Sequence, residues 1–97
     1  MSLLMLNEKD PKVLKSLYAY RREVFKDGAL SAKDKELIAL ALSCVSKCEK
    51  CLDHHSEEAK KKGATEEEIL EAIEVAMYMT GPSAMIWSGK IDEIVSH

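Results

Sequence analysis

Glycine and proline are scarce in these 97 residues, with four of the one and two of the other. Most of them fall between apolar-periodic segments, and no proline-rich linker, internal repeat or low-complexity tract separates one part of the chain from another. No stretch alternates apolar and polar residues along a strand's length, so no β-strand is expected. An excess of positive charge is also missing. Fourteen Lys and Arg stand against 17 Asp and Glu, a net charge of −3, and a nucleic-acid binder would need a basic field. The longest uninterrupted apolar run, Leu37 to Leu42, is far too short to span a bilayer. No basic n-region precedes an apolar stretch near Met1, so no signal peptide is expected. With 46 % apolar and 32 % charged residues, the chain has material for a core and lacks the composition of a disordered one. What remains is a single domain over 1–97, in a cytoplasmic setting, with no nucleic-acid and no membrane partner.

What the chain does have is helix signal. Leu, Ala, Lys, Glu and Met outnumber the β-branched residues, and these are the good helix formers. A first segment is predicted from about Pro11 to Asp27, with Asp10 as N-cap, Pro11 at the first helical position and Gly28 just past the end. A second begins at Ser31 and runs through Leu37–Leu42. That run is apolar on every side, which marks a helix surrounded by protein and hints at contacts between subunits. Ser46 and Glu49 make an S-x-x-E capping box, so the chain is predicted to break there, with a third helix from Lys47 to Lys62 and Gly63 after it. Thr65 and Glu68 make a further capping box, with Ala64 and Ile69 as a staple, for a fourth helix that Gly81-Pro82 stops. A fifth segment, Pro82 towards Ser96, carries Met85, Ile86, Trp87, Ile91, Ile94 and Val95 and is expected to supply subunit contacts. The fold class is therefore all-α: a bundle of about five helices with a C-x-x-C pair at the N-terminus of the third.

That pair is Cys48-Glu49-Lys50-Cys51, placed at the second and fifth positions of the predicted third helix. Residues three apart share a helix face, so the sulfurs can reach bonding distance. A helix N-terminus favours a thiolate, and Lys47 and Lys50 add positive charge. His55, four residues after Cys51, lies on the same face and can act as its base. His54 points elsewhere and reads as a surface residue. If the second and third helices fold back at Ser46, Glu36 and His55 each lie about nine residues from the hinge and stand level, so the carboxylate can hold the imidazole. The set Glu36, His55, Cys51, Cys48 then has the form of orienter, base, nucleophile and resolving thiol. Cys44 reads as a small core hydrophobe. Cys44, Cys48, Cys51 and His55 are also four potential zinc ligands, but three of them project from one face of one helix. The second C-x-x-C or H-x-x-H of a zinc site is absent, so neither a metal nor a cofactor is expected.

The spacing Glu36-x11-Cys48-x2-Cys51-x3-His55, with Gly81-Pro82 downstream, resembles the alkylhydroperoxidase-D-like family, also called the carboxymuconolactone decarboxylase family, over roughly Leu30 to Ala84. The resemblance implies an all-α protomer that assembles into a homotrimer or homohexamer. It implies a peroxidase or disulfide reductase in which Cys48 and Cys51 are the redox pair and His55 and Glu36 the proton relay. The substrate would be a small hydroperoxide or disulfide, and the reductant a dithiol or a lipoyl protein. Decarboxylase members lack the cysteine pair. The best-known peroxidase members carry a further His just before the second cysteine, where this chain has Lys50, a cation that is a poor proton shuttle at neutral pH. Two other readings stay open: a lyase of the decarboxylase branch using Glu36 and His55 as acid and base, and a non-enzymatic helical assembly or zinc-binding module.

Overall fold

The computed structural model describes residues 3–81 and 92–95. Five helices are present there, α1 (Leu3–Lys9), α2 (Pro11–Phe25), α3 (Ala32–Ser46), α4 (Glu49–Lys61) and α5 (Glu66–Thr80), followed by a helical turn at 92–95. Among the described residues there is no strand. The all-α expectation holds, with one change of count: α1 precedes the first predicted segment, so the cysteine pair opens the fourth helix and not the third. Leu3, Leu4 and Met5 on α1 remain exposed. A short helix with no buried face offers little periodicity to read. Most of the predicted fifth segment, with Trp87, lies outside the described residues.

The caps explain where the helices begin. The Asp10 carboxylate accepts from the Val13 N–H at 3.3 Å and Ser31 Oγ from the Asp34 N–H at 3.0 Å. Thr65 and Glu68 complete a reciprocal box: Oγ1 accepts from the Glu68 N–H at 3.1 Å, and the carboxylate accepts from the Thr65 N–H at 2.9 Å. Each satisfies donors that the first helical turn leaves open. The predicted Ser46–Glu49 box does not form. Ser46 is the last residue of α3, and its hydroxyl donates back to the Ser43 carbonyl at 3.3 Å. The chain turns one residue later, at Lys47, with φ 57°. The Lys47 N–H donates to the Cys44 carbonyl and the Cys48 N–H to the Ser43 carbonyl, the paired bonds of a Schellman ending. That motif normally takes Gly or Asn at the left-handed position, so a Lys there gives no signal in sequence.

At its far end α2 stops at Phe25, two residues short of the prediction, because Lys26 is extended. The loop that follows is tied to α3: Asp27 accepts from the Ala32 N–H at 2.7 Å, and Lys35 Nζ donates to the Lys26 carbonyl at 2.7 Å. These bonds fix the C-terminal end of α2 beside α3. The core itself is Leu40 and Cys44 of α3, Leu52 of α4, Ile69, Ile73 and Ala76 of α5, and Ile94. Ala64, the residue before the Thr65 cap, packs against this cluster, of which Ile69 is a member. α3 is the middle element, packed on α4 and α5. It is not covered on every side: Ile38, Leu42 and Val45 stay exposed on its outer stripe.

Candidate functional site

The Schellman turn decides how the cysteines sit. Cys48 follows the left-handed Lys47 and becomes the N-cap of α4, while Cys51 is the third residue of the helix. The predicted start was two residues earlier, so Cys48 is a cap and not a helical residue. Its sulfur accepts from the Cys51 N–H at 3.3 Å. The side chain thus takes the place of a capping oxygen, at the positive end of the α4 dipole. Cys48 and Cys51 are joined in a disulfide, with Cα atoms 5.3 Å apart, inside the range such bonds need. Both residues are partly exposed. Cys44, the free thiol, is 2 % exposed and belongs to the core. Burial pushes its thiol above the ordinary pKa.

The hairpin of α3 and α4 brings Glu36 and His55 together, 19 positions apart in sequence, with Nδ1 of His55 3.2 Å from the Glu36 carboxylate. Glu36 is 3 % exposed and His55 partly buried. A carboxylate is costly to bury without a hydrogen bond, and the imidazole supplies it. With Nδ1 engaged, Nε2 is the nitrogen left to exchange a proton. Cys51 lies one turn before His55 on the same side of α4, within about 40° around the axis. The four residues read from the sequence spacing therefore form one local arrangement.

Three features of the site were not read from the sequence. The Phe25 ring stacks on His55 at 5.5 Å between centroids, covering the imidazole from the α2 side. His54 is half-buried, with its ring edge-on to His55 at 4.9 Å. It is not a plain surface residue, because it lines a cavity together with the end of α2. A cavity of about 410 Å³ opens beside the pair, lined by Arg21, Arg22, Phe25 and Lys26 of α2, Glu36 of α3, and His54, Glu58 and Lys62 along α4. Helix periodicity assigns α2 only to the bundle. The side of α4 it crosses depends on the loop bonds above. Among the described residues no three His, Cys, Asp or Glu side chains gather as a metal site. No described helix is long and apolar enough to cross a membrane.

An all-helical hairpin with a half-exposed cysteine pair and an adjoining Glu–His pair is the arrangement the spacing resembled. The carboxymuconolactone decarboxylase family model matches residues 11–90, most of the chain, and the chain belongs to that family. A relative from Paracoccus denitrificans, "Uncharacterized protein 4 in cox locus", is 41 % identical over 80 residues, which is 78 % of this chain and 72 % of that protein. The alkyl hydroperoxide reductase AhpD of Acidobacterium capsulatum is 35 % identical over 60 residues, 62 % of this chain and 33 % of that protein. A carboxymuconolactone decarboxylase family protein from Legionella pneumophila has a structure similar to this one, with a TM-score of 0.88 at 33 % identity. That match covers 97 % of this chain and 84 % of the other. A family protein from Thermotoga maritima gives a TM-score of 0.77 at 28 % identity, covering 84 % of each chain.

Proposed function

We propose that the protein is a thiol-dependent oxidoreductase that reduces a small hydroperoxide or disulfide, with Cys48 and Cys51 as the redox pair and His55 and Glu36 as the proton relay. The observation that carries this reading is the bonded cysteine pair at the start of α4, with the Glu36-held imidazole one turn further along the helix. In the reduced protein His55 takes the Cys51 proton, and the thiolate attacks the outer peroxide oxygen. The O–O bond breaks, Cys51 keeps the hydroxyl as a sulfenic acid, and the departing alkoxide leaves as the alcohol with the proton His55 returns. Glu36 holds the ring in place through its hydrogen bond to Nδ1. The Cys48 thiol then displaces water from the sulfenic sulfur, giving the disulfide. A dithiol, free or on a lipoyl protein, returns two electrons and two protons and resets the pair. Such a reductant fits a cytoplasmic setting. The working form is a homotrimer or homohexamer, supported by the apolar side chains left open on α1, α2 and α3.

The test is turnover of a hydroperoxide with a dithiol by wild type, Cys48→Ser and Cys51→Ser. Both variants should lose turnover, and a dimedone-type label should trap a sulfenic acid in Cys48→Ser but not in Cys51→Ser. Label in the Cys51 variant alone would reverse the order of attack. Rates equal to wild type in both would overturn the reading. An activity that survived loss of both thiols would belong to the lyase chemistry of Glu36 and His55.

A further inference from the structure

The proposed reaction uses the sulfurs and the Glu36–His55 pair, and it leaves the neighbouring cavity without a task. Its lining contains four cationic side chains, Arg21, Arg22, Lys26 and Lys62, in a chain whose net charge is −3. The carboxylates in the same lining are already engaged: Glu36 with His55 at 3.2 Å, and Glu58 with Lys62 at 3.5 Å. Lys26 has a partner at 2.7 Å in Glu23. The two arginines have none among the described residues. Arg21 lies over the Tyr18 ring at 5.4 Å, which does not neutralise it, and Arg22 makes no ion pair among the described residues. They therefore put uncompensated positive charge at the mouth of a cavity whose volume, about 410 Å³, suits a small molecule. Guanidinium groups are forked donors that match a carboxylate.

The position of the cavity relative to the sulfurs completes the case. Cys51, His54, His55, Glu58 and Lys62 fall on one side of α4 by helical periodicity, and His54 begins about 4.5 Å along the axis from Cys51. A substrate with its reacting end at Cys51 would lay its other end along this stripe, under the α2 arginines. We propose that the cavity is a subsite for an anionic, carboxylate-class substituent of the substrate, bound by Arg21 and Arg22. This inference rests on the oxidoreductase reading above.

The experiment compares kcat/KM for 8-hydroperoxyoctanoate and for its methyl ester, and separately titrates octanoate into the oxidised protein. Wild type should prefer the acid over the ester by about tenfold, from a charge-assisted hydrogen bond the ester cannot make. The preference should shrink at high salt. Arg21→Gln/Arg22→Gln should bring the acid-to-ester ratio close to one and weaken octanoate binding by a similar factor, and Arg21→Lys/Arg22→Lys should restore part of both. Ester turned over as fast as acid by wild type, with no octanoate binding, would overturn the subsite and leave the oxidoreductase reading standing. Octanoate bound through the arginines with neither hydroperoxide consumed would do the reverse.

Discussion

Burying the Glu36 carboxylate at 3 % exposure makes sense only with a partner, and His55 is the one hydrogen bond it has among the described residues. His55→Ala would leave that acceptor unsatisfied, so urea unfolding should show a loss of about 1–3 kcal/mol. Glu36→Leu combined with His55→Ala should recover part of it, because no polar group is then stranded. A single variant as stable as wild type would show that the carboxylate is relieved in some other way. The cysteines divide differently. After reduction, iodoacetamide should label Cys48 and Cys51 in the folded protein and leave Cys44 unlabelled until denaturant is added, as mass spectrometry would read. Burial both covers the Cys44 thiol and holds it protonated at neutral pH. Label on Cys44 in the native state would contradict its place in the core. Glu36, Cys48, Cys51 and His55 were legible in advance because one helical repeat and one hairpin relate them. Phe25, His54 and the two arginines were not, since they meet only through the α2 loop, and the bonds that set it depend on tertiary placement.

Helix starts were legible at Asp10, Ser31 and Thr65 because a capping side chain is a local device, with acceptor and donor three residues apart. The start of α4 was misplaced because Ser46 had a competing local use, and a left-handed Lys was not foreseeable. Glu68 illustrates what a cap can add beyond its own helix. Besides closing the α5 box, its second carboxylate oxygen accepts from Lys33 Nζ at 2.8 Å, joining the first turns of α3 and α5. The hydrogen bond from Lys33, and then that from the Thr65 N–H, hold the Glu68 carboxyl below its ordinary pKa, and Glu68 raises Lys33. A depressed carboxyl stabilises the fold above its unfolded pKa and loses that contribution as pH falls through the folded one. The raised Lys33 loses its share only at strongly alkaline pH. Glu68→Gln keeps a side chain that can complete the capping box but removes the charge. Its deficit relative to wild type in denaturant unfolding should be present at neutral pH and vanish as pH falls below the carboxylate range. A deficit that did not change with pH would assign the effect to the cap alone. At the other end of α4, Gly63 sits at φ 93° with open space around it. Gly63→Ala should therefore cost roughly 1 kcal/mol from backbone strain without any steric clash.

Nine apolar residues are buried in the described protomer, while fifteen large hydrophobics remain exposed. Scattered exposed apolar residues are ordinary, but a continuous set is not. Ile38, Leu42 and Val45 follow one another at helical spacing on α3, at 49 %, 60 % and 44 % exposure. Val24 of α2 stands beside Ile38 and Leu42 around an apolar hollow of about 270 Å³. The prediction that α3 is enclosed by protein fails within one protomer, and a second copy of the chain against this face would restore it. Apolar-to-charged changes there act on association and not on the internal core, because these side chains are exposed in the protomer. Ile38→Glu/Leu42→Glu should thus leave helical circular dichroism intact while shifting the sedimenting species from three or six chains to one. It should also abolish the concentration dependence of thermal unfolding that association confers on the wild type. Wild type sedimenting as a single chain at all concentrations would mean that the open stripe is not an assembly face. The double variant remaining associated would place the assembly surface elsewhere, on α1 or the outer side of α5, where Leu3, Leu4, Val75 and Met79 are also exposed.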